Sequence, residues 1–171
     1  MRVYKSTAFA LVAVTLAALP VGAQDAQTVE VTPYVALGTA GVAPVGAAVT
    51  FPVTSALSVE TDVAYRRGEG GIHALSTNAS LLYFLPRVGR SKPYVAGGVG
   101  LSQYGAPALS EGRLIGTQPR VALTVNAGGG LKMPMNDKLD LRTDARWFKS
   151  FGPQGSLVRV AQGINFDLGK R

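Results

Sequence analysis

Leu57-Ser58-Val59-Glu60-Thr61-Asp62-Val63-Ala64-Tyr65-Arg66 alternates without a break. Leu57, Val59, Thr61, Val63 and Tyr65 fall on one parity, and Ser58, Glu60, Asp62, Ala64 and Arg66 on the other. Successive side chains of an extended backbone leave opposite faces, so strict period two means a β-strand with one apolar and one charged face. The pattern returns from Leu139, with Leu139, Leu141, Thr143, Ala145 and Trp147 set against Asp140, Arg142, Asp144 and Arg146. Both apolar rows end in an aromatic, and both charged rows carry acids and bases. Water could solvate such a charged face, and so could the inside of a membrane barrel enclose it. The flanking sequence decides between them.

At the N-terminus, Arg2 and Lys5 precede an apolar or small run from Ala8 to Leu19, interrupted by Thr15, and Val21-Gly22-Ala23 supplies small residues. This reads as a cleaved secretory signal, residues 1–23, too short to cross a membrane as a helix. The exported chain is then 24–171, a one-domain length. Of the 17 basic residues Arg2 and Lys5 leave with the signal, so 15 face 10 acidic ones. That excess is scattered among strands and turns such as Arg87, Arg90 and Lys92. It suits anionic lipid headgroups and does not form the patch that nucleic acid requires. Cysteine is absent, so a core, an oligomer or a membrane must do what disulfides do in small secreted domains.

Eight extended segments follow, with no helical period between them. They read as Val29 to Thr39, Val42 to Phe51, Leu57 to Arg67, Ala74 to Leu85, Pro93 to Tyr104, Pro119 to Met133, Leu139 to Phe148 and Leu157 to Gly169. Links after the second, fourth and sixth are compact. Gly105 to Gln118 reads as the longest loop. Hairpin-length links between strands predict an antiparallel up-and-down meander, all-β. Ten residues at about 3.3 Å, tilted near 45°, rise about 23 Å, the height of the apolar band of an outer-membrane barrel.

The polar face is dominated by Gly, Ala, Ser, Thr and Asn, which suit a narrow interior better than a solvated surface. Its charges are mixed: Glu60, Asp62, Asp140, Asp144 and Asp167 against Arg66, Arg142, Arg146 and Arg159. Charges buried together must be paired, and this mixture predicts an interior polar network. Aromatics on the apolar face sit at strand ends. Tyr65 and Trp147 would form an external belt, and Phe51, Tyr83 and Phe166 a periplasmic one.

Pro93 to Leu101 (PYVAGGVGL), Ala127-Gly128-Gly129-Gly130-Leu131 and the strand from Asp140 to Phe148 together resemble the small eight-stranded outer-membrane barrels of Gram-negative bacteria, the group that includes the transmembrane domain of OmpA and the OmpX-like proteins. The resemblance spans about Val29 to Leu168. It implies an eight-stranded antiparallel transmembrane β-barrel, lipid and lipopolysaccharide as surroundings, and a monomer. Gly163, Phe166 and Leu168 resemble the group's C-terminal assembly signal for the barrel-insertion machinery. Ala161 stands where that signal usually has a polar residue, and Gly169-Lys170-Arg171 follow instead of a terminal aromatic.

Residues able to do chemistry are few. His73 is the only histidine. Ser76 follows three residues later, and on a strand the two would lie on opposite faces, a poor arrangement for proton transfer. The glycine runs at 97–100 and 128–130 open no helix and so make no phosphate loop. No cofactor, metal or catalytic residue is predicted. The expected function is therefore a structural or envelope role, or contact with external ligands through 105–118, without an open pore. Two other readings stay open: passage of small hydrophobic molecules or ions, and a soluble periplasmic binder of lipocalin type.

Overall fold

The computed structural model describes residues 28–39, 44–67, 73–110, 113–152 and 155–169, with the backbone alone for 106–119. The segment read as the export signal lies outside the described residues. Eight strands occur in chain order: β1 (Glu30–Gly38), β2 (Val45–Pro52), β3 (Leu57–Arg67), β4 (His73–Phe84), β5 (Lys92–Ser110), β6 (Arg113–Pro134), β7 (Leu139–Ser150) and β8 (Ser156–Asp167). Each pairs antiparallel with the next, and β8 pairs with β1, closing the barrel. Closure removes every sheet edge in the wall.

β3 keeps the bounds its alternation predicts. β5 and β6 do not. Pairing continues from Gly105↔Pro119 to Ser110↔Arg113, with one irregularity at Ala108/Leu109. The stretches 105–110 and 113–118 thus continue β5 and β6 as paired strands past their neighbours, correcting their reading as a loop. Its Ala, Pro and Gly residues look like turn residues, but backbone pairing needs no side-chain alternation.

Two turns at the end that carries the chain termini share one device. Thr54 Oγ1 accepts the amides of Ala56 and Leu57, and Asn136 Oδ1 accepts those of Lys138 and Leu139. A side-chain oxygen satisfying amides two and three residues on is what lets Thr and Asn fix so tight a reversal.

The polarity is that of a barrel turned inside out. Outward positions are apolar: Leu37, Leu81, Val99, Val121 and Leu123 are each about half-exposed or more. Among the described residues 17 buried side chains are polar or charged against 11 apolar, so the interior cannot supply the apolar core that holds a soluble domain together. Among the described residues the buried apolar cluster is Leu82, Phe84, Tyr94 and Ala96. Exposed large apolar side chains occur on every strand of the wall, unlike the limited patches that soluble monomers expose. A lipocalin-type barrel requires the opposite arrangement.

Glycines make room for the large inward side chains. Tyr34 lies opposite Gly46 and Gly163, Tyr94 opposite Gly130, Arg146 opposite Gly128 and Arg142 opposite Gly163. A methyl group at Gly130 would come 2.5 Å from the Tyr94 hydroxyl. Gly130→Ala is expected to cost about 1–3 kcal/mol through overpacking, measured as a lower urea midpoint in detergent with the barrel still formed.

Candidate functional site: the ion-paired interior

β3 and β7 stand four strands apart in a ring of eight, so the two alternating stretches face each other across the lumen. Their inward rows meet at its centre. Glu60 is bound by Arg142, whose Nη2 donates to Oε1 at 3.2 Å, and by Arg146 Nη2 at 2.6 Å; Thr50 Oγ1 donates at 3.0 Å. Asp144 Oδ2 accepts from Arg142 at 3.1 Å, Arg146 at 3.5 Å and the Tyr94 hydroxyl at 3.1 Å. Asp62 Oδ2 accepts from Arg159 at 3.2 Å, the Tyr34 hydroxyl at 2.9 Å and Asn78 at 3.4 Å. Three acids meet three arginines, all buried, and Glu60 and Arg146 are each 1% exposed.

Two tyrosines repeat one arrangement. Arg142 Nε donates to the Tyr94 hydroxyl at 2.8 Å and its guanidinium lies 5.0 Å from that ring. Arg159 Nη1 donates to the Tyr34 hydroxyl at 3.0 Å, with its guanidinium 5.0 Å from the Tyr34 ring and 4.7 Å from Phe148. Each arginine is thus held between a carboxylate and a tyrosine face. Guanidinium planarity and its fork of donors suit both contacts at once.

This layer divides the lumen. Above it lies a chamber of about 60 Å3, lined by Ser76, Asn78, Ser102, Tyr104, Phe148 and Arg66 among others. Within it a void of about 10 Å3 borders Glu60, Asp62 and Arg142. Below it, at the terminal end, a vestibule of about 410 Å3 opens.

The remaining residues singled out in the sequence are spread over both ends. Arg66 is half-buried and lines the upper chamber. Asp140 lies at the vestibule and accepts from Asn165 Nδ2 at 3.4 Å; Asp167 accepts from Thr28 Oγ1 and from the Gly169 amide. Tyr65, Tyr83, Trp147 and Phe166 point outward and are roughly half-exposed, and Phe51 is partly exposed. Phe166 and Leu168 point outward, while Gly163 faces inward beneath Tyr34 and Thr32. His73 is exposed on the outer face, whereas Ser76 faces the lumen and bonds Ser102 at 2.9 Å. Opposite faces of one strand make no acid–base pair. Among the described residues, no three metal-ligating side chains come together.

Sequence reasoning overlooked Tyr34, Tyr94, Tyr104, Phe84 and Phe148 as lumen residues, and the Lys132–Glu30 ion pair. Parity was the available signal for some. Phe148 continues the row of Asp144 and Arg146, and Tyr94 that of Ala96 and Gly98.

A closed eight-stranded wall around a polar, ion-paired lumen decides the comparison. The fold is that of the small outer-membrane β-barrels. The chain is similar to the N-terminal β-barrel domain of Pseudomonas aeruginosa OprF, with a TM-score of 0.61 and 17% identity over 81% of this chain and 97% of that one. It is also similar to Neisserial surface protein A, with a TM-score of 0.64 and 12% identity over 82% and 96%. A third likeness is to the outer membrane enzyme PagL, with a TM-score of 0.52 and 15% identity over 81% and 99%. At these identities the shared property is the outer-membrane barrel fold. No protein-family model and no curated relative matches the chain in sequence.

Proposed function

We propose that this protein is exported by its N-terminal signal and resides in the bacterial outer membrane as a closed monomeric barrel. Its termini face the periplasm, and lipid and lipopolysaccharide surround its apolar wall. Phe166 on the last strand and Leu168 just past its end, both outward, are the positions offered with Gly163 to the insertion machinery. The role is structural, in envelope integrity, or in surface contact through the projecting β5–β6 hairpin, without catalysis. The observation that supports this reading most is the inverted polarity: charges paired inside, apolar side chains outside and, among the described residues, one small apolar cluster inside.

The test is alkaline extraction of membranes with gel migration of unheated and boiled samples. Retention in the pellet and a heat-dependent shift are expected; release without a shift would overturn the membrane reading. Unchanged lipid A on overexpression is expected as well, and an altered acyl pattern would overturn the non-enzymatic one. A second reading, passage of small solutes or ions, is favoured by one observation. Chambers lie on both sides of the central layer, so a rearrangement of that layer alone would join them. Planar-bilayer recordings and liposome flux test it.

A further inference from the structure

The vestibule of about 410 Å3 at the terminal end carries Arg87, Arg90, Lys92 and Lys132 on its β4–β6 side and Asp137, Asp140, Asp167 and Glu30 around the rest, with Glu30 reaching across to Lys132. Lys132 is buried and paired with Glu30. Lys92 lies 4.2 Å above the centroid of Phe84, a ring that also carries Lys132 at 4.9 Å. Arg87 and Arg90 precede Lys92 on the β4–β5 turn, which Val88 and Ser91 pinch together and Gly89 reverses at a φ of 61°. The turn therefore sets three cations on one wall. Among the described residues the ion pair at this end is Lys132–Glu30, so Arg87, Arg90 and Lys92 have no carboxylate at ion-pair distance. Asp137 and Asp140 line the same vestibule from the β6–β7 side, two strands further round.

Three like charges on one wall repel one another; Glu30 and Asp140 act on Lys92 from beyond ion-pair distance, and a bound anion would screen all three more directly. Two guanidinium forks and an ammonium match the oxygens of a phosphate. The nearby carboxylates would repel a bare phosphate dianion, whereas an ammonium tethered to the phosphate would meet them. We propose that the vestibule binds a phosphoethanolamine-type zwitterion, its phosphate held by Arg87, Arg90 and Lys92 and its primary ammonium by Asp137 and Asp140. Free phosphoethanolamine and the headgroup of an ethanolamine lipid offer the same chemistry. The lipid source rests on the membrane placement proposed above; binding of the free molecule does not.

The full-length exported chain in detergent micelles, labelled for amide NMR, is titrated with phosphoethanolamine, phosphocholine and inorganic phosphate. Saturable shifts confined to 87–92 and 137–140 are expected with phosphoethanolamine, with binding at least tenfold weaker for the other two. Arg90→Gln and Asp140→Asn should each weaken it tenfold, while a retained heat-dependent gel shift shows that the barrel is intact. The same shifts in ethanolamine-lipid nanodiscs, and not in choline-lipid nanodiscs, would assign the lipid as the source. Their absence from both discs, with micelle binding retained, would assign the free molecule. Phosphate binding as tightly as phosphoethanolamine, no saturable shift, or folded variants that bind unchanged would overturn the proposal.

Discussion

Val63→Arg is expected to remove most of the heat-modifiable protein from the outer-membrane fraction. Val63 points outward from the middle of β3, 48% exposed, paired with Ala47 and Thr77 on the neighbouring strands. An arginine at mid-height of a lipid-facing wall costs about 2–4 kcal/mol, a large share of the few kcal/mol by which folded proteins exceed their unfolded chains. Leu141→Arg, on the same face of β7 but nearer the terminal end, should act in the same direction and less strongly, because the cost falls toward the interface. The matched control is Ala64→Ser, one residue from Val63 and facing the lumen, which should assemble normally. Full assembly of Val63→Arg would mean that this face meets water.

Glu60→Gln is expected to leave localisation intact and to make the barrel leak. Glutamine keeps the volume and one accepting oxygen, so the wall still closes, while its amide NH2 cannot accept the arginine and threonine bonds of the other carboxylate oxygen. Arg142 and Arg146 then share Asp144 as their remaining acid, and the layer of three acids and three arginines gains one net positive charge. Openings absent from the wild type should appear in planar bilayers, with a preference for anions. Arg146→Gln reverses the sign and should prefer cations. Leaks of one selectivity in both variants would mean that these charges do not set the path. Glu60→Ala removes the bonds as well. Breaking a buried pair by deleting one partner costs about 3–5 kcal/mol, and here one carboxylate serves two arginines, so its urea midpoint in detergent should fall well below that of Glu60→Gln.

How much of this was legible in the sequence depends on what each residue type can signal alone. The bounds of β3 and the two faces of β3 and β7 could be read because their alternation involves charge against Val and Leu, a contrast that few other arrangements produce. β1 and β2 are blurred because a narrow interior admits Ala and Gly, which are also tolerated outside. That same crowding hid Tyr34 and Tyr94. An aromatic on the small-residue parity looks like an exception until the glycines opposite it are seen across two strands. The 105–118 hairpin was misread because Pro and Gly usually punctuate. The six central charges were visible as a mixed set, but which acid meets which arginine depends on the curvature that brings β3 against β7, and no local pattern encodes that.

The opposition of β3 and β7 also bears on how the barrel is put together. Glu60 and Asp62 belong to the first half of the chain, while Arg142, Arg146 and Arg159 arrive 82 to 97 residues later. In the central layer the first four strands therefore carry two negative charges, and the last four, with Asp144 among the arginines, two positive ones. Neither half is neutral by itself, and a sheet still open at the β1–β8 seam would hold both sets of charge uncompensated. Joining the seam brings the two sets together, so the central layer exists only once strands from opposite ends of the chain face each other across the lumen.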